Sequence, residues 1–112
     1  MEKAIAYLFG NKIVGTVKLT DVGECIYYEI DIKNIQTSDV KLLIDGKFAV
    51  LDFTYTPFLC NGRIRVSFYS DMIGMGNTIG KKISLIAGNT PLAEGNIIKV
   101  YPGKRFYSEE QF

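Results

Sequence analysis

The chain has no histidine and no tryptophan among its 112 residues, and only two cysteines and three prolines. Without histidine, the commonest general acid–base and the commonest nitrogen ligand for zinc are both missing. Cys25 and Cys60 stand alone and far apart, too few for a disulfide scaffold; they can form one disulfide, and the favoured reading is two free thiols packed like small hydrophobes. A net charge of +1 excludes a global electrostatic drive toward nucleic acid or anionic membrane and leaves only local patches to argue from. No run approaches the ~20 apolar residues of a membrane-spanning helix. The start, Met1-Glu2-Lys3-Ala4-Ile5, lacks the basic and long apolar regions of a signal peptide, so a cytoplasmic protein is expected.

What the chain does have is β-branched and aromatic residues, interrupted by turn formers about every ten positions. Hydrophobic residues are 47% and charged residues 22% of the sequence, enough for one core in one domain spanning residues 1–112, with 102–112 as a tail. Strands are expected at 3–9, 13–19, 25–32, 47–55 and 63–69. A closing pair of strands within Lys82–Tyr101 flanks a segment of turn formers. Gly15 inside the second strand marks a bulge or a close backbone approach. Period two is clearest in two places. Ile26, Tyr28, Ile30 and Ile32 share a face against Tyr27, Glu29 and Asp31; Ile64, Val66 and Phe68 share one against Arg63, Arg65 and Ser67.

Residues 38–45 read two ways. Thr37, Ser38 or Asp39 can cap a short helix through Val40–Ile44, and a strand running into an Asp45-Gly46 turn fits as well. The short loops between the first strands favour a meander. The expected fold is all-β: a single small antiparallel Greek-key barrel, or a compact sandwich, of about seven strands. Closure is favoured because it removes exposed strand edges.

Tyr55-Thr56-Pro57-Phe58 leading into the alternating strand Arg63–Tyr69, followed by Gly88-Asn89-Thr90 and Gly95-Asn96-Ile97-Ile98-Lys99-Val100, resembles the C-terminal β-barrel domain of elongation factor Tu and related translation factors. The resemblance covers about residues 53–101. It departs at Asp52-Phe53-Thr54, where the family has Gly-Gly-Arg. It implies a barrel used for binding, without the family's GTP-binding domain.

Motifs for chemistry are few. Gly74-Met75-Gly76-Asn77-Thr78-Ile79-Gly80-Lys81-Lys82 has glycines and lysines, but Met75 sits where a phosphate loop needs glycine and Lys82 where it needs Ser or Thr. It reads as an inter-strand loop. Glu29 and Asp31 share a solvated strand face and read as surface, within reach of the arginines. Neither cysteine has a histidine to activate it. No catalytic residue, cofactor site or metal site is assigned.

The remaining lead is arginine beside aromatics. Arg63, Arg65 and Tyr69 project from one strand face, and the tail repeats the combination at Arg105, Phe106 and Tyr107. Phe106, Tyr107 and Phe112 either pack back on the barrel or dock on another molecule, because aromatic surface left in water forgoes its burial energy. The Met72-Ile73-Gly74-Met75 loop offers the same choice, as an adaptable contact or as a plug. The expected function is non-enzymatic: a binding barrel acting through a protein partner in an adaptor, inhibitor or immunity-type role. Its contact surface is Arg63, Arg65, Tyr69, Arg105, Phe106 and Tyr107. The alternative is an RNA-binding barrel using the same residues.

Overall fold

A computed structural model describes residues 1–37, 39–52 and 59–101, with the backbone alone at positions 59 and 60. Among these residues there are ten strands, a single three-residue 3-10 turn at Met75–Asn77, and no α-helix. The strands are β1 (Lys3–Gly10), β2 (Ile13–Asp21), β3 (Ile26–Lys33), β4 (Val40–Ile44), β5 (Phe48–Asp52), β6 (Leu59–Cys60), β7 (Arg63–Ser70), β8 (Lys82–Ala87), β9 (Thr90–Asn96) and β10 (Ile98–Val100). Every strand pairing among the described residues is antiparallel, in the order β5-β4-β8-β9-β1-β2-β3-β7-β6, with β10 also paired to β1. The result is a nearly closed, barrel-like sheet around one core.

Turn chemistry sets the register. Asn11 and Lys12, Asp45 and Gly46, and Asn61 and Gly62 are pairs of consecutive residues with positive φ, the twist that tight hairpins need. Gly88, at φ +61°, opens the two-residue turn between β8 and β9. The Asn61-Gly62 turn also holds its neighbour: the Ile35 amide donates to the Gly62 carbonyl at 2.8 Å.

Of the two readings of Val40–Ile44, the strand holds and the short helix does not form. Its first, third and fifth residues (Val40, Leu42, Ile44) are buried, and Asp45-Gly46 turns it back onto β5. The expected count of about seven strands is corrected to ten among the described residues, in part because the segment between Gly88 and Asn96 is not one long turn. Only Gly88 and Asn89 turn; Thr90–Asn96 pairs with β8, and Pro91 is accommodated beside a register shift at Leu85/Ile86. Gly15, expected at a bulge or a close backbone approach, is the close approach, since neither neighbouring ladder shifts register there. A Cβ at Gly15 would lie 2.8 Å from Ile32 Cγ1 and 3.0 Å from the Asp31 carbonyl oxygen.

Closure depends on a tighter contact still. At its far end β1 meets β9, with Phe9 opposite Glu94, and near its start it meets β10, with Lys3 opposite Val100. The chain switches from one pairing to the other as it crosses Tyr7, and a Cβ on Gly95 would sit 1.9 Å from the Tyr7 carbonyl oxygen. Only glycine lets these backbones pass.

The core gathers Leu8, Leu19, Tyr28, Ile32, Ile64 and Leu85 among others. Ile73 and Met75 fold inward onto it while Met72 stays exposed, so the loop at 72–75 serves mainly as a plug. Residues 53–58, where β5 was expected to continue and where the Thr-Pro-Phe segment lies, are outside the described residues, as is the tail 102–112.

Candidate functional site

Alternation along β1, β2, β3 and β7 sends Leu8, Leu19, Tyr28 and Ile64 inward and builds the opposite, outer face from the residues between. The ladders fix the rows of that face. Phe9 lies opposite Val14, and Val14 opposite Lys33. In the next row Tyr7 faces Thr16, Thr16 faces Asp31, and Asp31 faces Arg65. Beyond them Lys18 faces Glu29 and Glu29 faces Ser67, and the last row places Tyr27 opposite Tyr69.

Charge is concentrated at one end of β3 and β7. Arg63 donates from Nε to Asp31 Oδ1 at 2.9 Å and from Nη2 to Oδ2 at 2.8 Å. This bond, with the nearby charges of Arg63, Lys33 and Arg65, holds the Asp31 carboxyl below the usual aspartate range against a modest opposing desolvation. The same bond raises the pKa of the Arg63 guanidinium. Three cations therefore surround one carboxylate, and only Arg63 is committed to it. Among the described residues no ion pair engages Lys33 or Arg65.

At the other end of the face the rings of Tyr27 and Tyr69 lie 4.7 Å apart, tilted by 39°. Tyr69 is 66% exposed. Of the residues expected to make contact, Arg63, Arg65 and Tyr69 do share the outer face. Arg63 is tied to Asp31, and six residues of extended strand, roughly 20 Å, separate it from Tyr69. Arg105, Phe106 and Tyr107 lie outside the described residues.

Sequence reasoning missed the corner beside the β1–β2 turn. Phe9 and Val14, directly opposite each other, are 63% and 43% exposed. With Tyr7, Thr16, Asp31 and Lys33 they line an open groove of about 240 Å³. The signal was present: if Ala4, Ala6 and Leu8 face the core, Tyr7 and Phe9 must face away. A second open trough, about 210 Å³, runs over Thr16, Lys18, Glu29, Asp31, Arg65 and Ser67.

Elsewhere, Cys25 carries a free, half-buried thiol; the Cys60 side chain is outside the described residues. Among the described residues the buried Tyr28 hydroxyl has no hydrogen-bond partner, and desolvation pushes its pKa up to about 12, which keeps it neutral. Its ring stacks on Phe68 at 5.2 Å. Among the described residues no group of three or more Cys, Asp or Glu is placed to hold a metal ion, and no helix is long and apolar enough to cross a membrane. No protein-family model and no curated protein sequence matches this chain.

Proposed function

We propose that this chain is a non-enzymatic β-barrel that binds another protein through the outer face of β1, β2, β3 and β7, in an adaptor, inhibitor or immunity-type role in the cytoplasm. The observation that carries the reading is the exposed Tyr69, braced by Tyr27, on the same strand face as the exposed Arg65. Tyrosine and arginine are the side chains that most often anchor protein interfaces, because each covers a large area and retains a polar tip. The troughs on this face are open and shallow, which suits a contact surface better than a site that must exclude water from a reacting group.

RNA binding, the reading that follows from the translation-factor resemblance, draws on the same Arg65 and on stacking at Tyr27 and Tyr69. Against it, Glu29 and Asp31 lie in the middle of the face, where a phosphate backbone would meet them.

Affinity capture from the native lysate tests the reading, with and without nuclease and at two salt concentrations, using the wild-type chain and the Arg65→Glu/Tyr69→Ala double variant. A protein retained through nuclease by wild type and lost by the variant is expected. Equal retention by the variant rejects the face, and recovery of RNA that disappears with nuclease or salt rejects the protein partner.

A further inference from the structure

The corner at Phe9, Val14 and Lys33 permits a narrower statement, which rests on the protein-contact reading above. We propose that this corner, with Arg65, recognises an acidic segment of the partner: a Glu or Asp within three residues of a large apolar side chain.

The apolar half comes from exposure in register. Phe9 and Val14 form a ledge across β1 and β2, each well exposed, beside an open groove whose wall includes Tyr7. A ledge of this kind gains from covering by a partner's Leu, Phe or Trp side chain.

The anionic half comes from charge balance. Lys33 continues the Phe9–Val14 row on β3, and Arg65 stands in the adjacent row opposite Asp31. Asp31 feels Lys33, Arg63 and Arg65 together, yet its carboxylate oxygens are taken by Arg63. Lys33, Arg63 and Arg65 against Asp31 and the neighbouring Glu29 leave one positive charge in excess at this end, and a partner carboxylate complements it.

Spacing joins the halves. Two strand steps separate Phe9 from Lys33, about 10 Å at the usual inter-strand distance. An extended peptide covers that distance in about three residues, each advancing roughly 3.3 Å. One short segment can thus place an apolar side chain on the ledge and a carboxylate by Lys33. A nucleic-acid backbone fits less well, because its run of phosphates would cross Glu29 and Asp31, whereas one carboxylate need only reach Lys33 and Arg65.

The test is selection of a random-peptide display library on the immobilised full chain, followed by titration of a synthetic copy of the most enriched peptide. Enrichment of Asp or Glu within three residues of Leu, Phe, Tyr or Trp is expected. Affinity should fall roughly tenfold in Lys33→Glu and again in Phe9→Ser, with unchanged melting of both variants. Enriched peptides lacking acidic residues, or affinity unmoved by Lys33→Glu and Phe9→Ser, overturn the inference. If Tyr69→Ala still abolishes that binding, the face reading survives; if Tyr69→Ala is silent as well, both fall. Absence of any enriched peptide, an enriched pool competed off by RNA, or a wild-type dimer in sedimentation that Phe9→Ser dissociates also overturns it, the last by assigning the ledge to a second copy.

Discussion

Arg63 holds Asp31 with two parallel bonds, from one position along β7 to a strand position diagonal to it, while the residue directly opposite Asp31 is Arg65. The pair locks the end of the β3–β7 ladder and sets the sign of the charge around it. Asp31→Asn is expected to destabilise the fold slightly at neutral pH, because the guanidinium loses its acceptor, and the loss should shrink in high salt since both side chains reach solvent. The pH dependence has a definite direction. A carboxyl with a lowered folded-state pKa contributes stability above its unfolded value, near 4, and that contribution disappears as pH falls through the folded value. Urea titrations of wild type and Asp31→Asn should therefore differ at pH 7 and converge as the pH falls below the lowered folded-state value; a difference that stays constant refutes the pair's role.

Tyr28→Phe is expected to stabilise the protein. The buried hydroxyl has no hydrogen-bond partner among the described residues, so removing it relieves a desolvation cost on the order of 1 kcal/mol, and Phe keeps the ring stacked on Phe68. Alkali gives a second readout. The folded pKa, about 12, lies above the unfolded value of 10.0, so folding keeps Tyr28 neutral where the unfolded chain would ionise. Stability present below pH 10 is then lost as pH rises toward 12, at up to about 1.4 kcal/mol per pH unit from this group. Chemical denaturation of Tyr28→Phe across that range should show a gentler decline than wild type. An unchanged slope would place the hydroxyl in water.

How far the chain could be read beforehand depended on run length. The eight-residue strands at β3 and β7 declare their faces, and Tyr28, Ile30, Ile32 and Ile64 are buried as their alternation requires. Val40–Ile44 was ambiguous because five apolar-rich residues fit either period; the Asp45-Gly46 turn and pairing with β8 decide it. β9 was hidden because Pro91 and Gly95 are turn formers by type, yet one sits beside a register shift and the other where two backbones cross. The Phe9–Val14–Lys33 row and the diagonal Asp31–Arg63 bond depend on inter-strand register, which no single strand's pattern contains.

Gly95→Ala tests the crossing. A methyl group there would lie 1.9 Å from a backbone oxygen of Tyr7, and neither β1 nor β9 can yield without breaking its ladder. A loss of roughly 3 kcal/mol or more is expected, against the ~0.5–1 kcal/mol gain that the same change often brings at an unconstrained site. A thermal melt decides it: a melting temperature equal to wild type would mean that β1 and β9 do not pass this closely.

The tyrosine pair should separate stability from binding. Tyr27 is half-buried between β2 and β7, whereas Tyr69 is 66% exposed with its ring against that of Tyr27. A cross-strand aromatic pair contributes about 0.5–1 kcal/mol beyond its area, so a double-mutant cycle over Tyr27→Ala and Tyr69→Ala should give a coupling of that size in unfolding. Binding should respond differently. Tyr69→Ala removes the anchor and should weaken partner capture by roughly tenfold or more, while Tyr27→Ala leaves the anchor but frees its ring, so capture should weaken less and the off-rate should rise. Surface-immobilised kinetics on the captured partner measure both effects. Equal losses from the two variants would make Tyr27 a contact in its own right, and no loss from Tyr69→Ala would move the interface away from this end of the face.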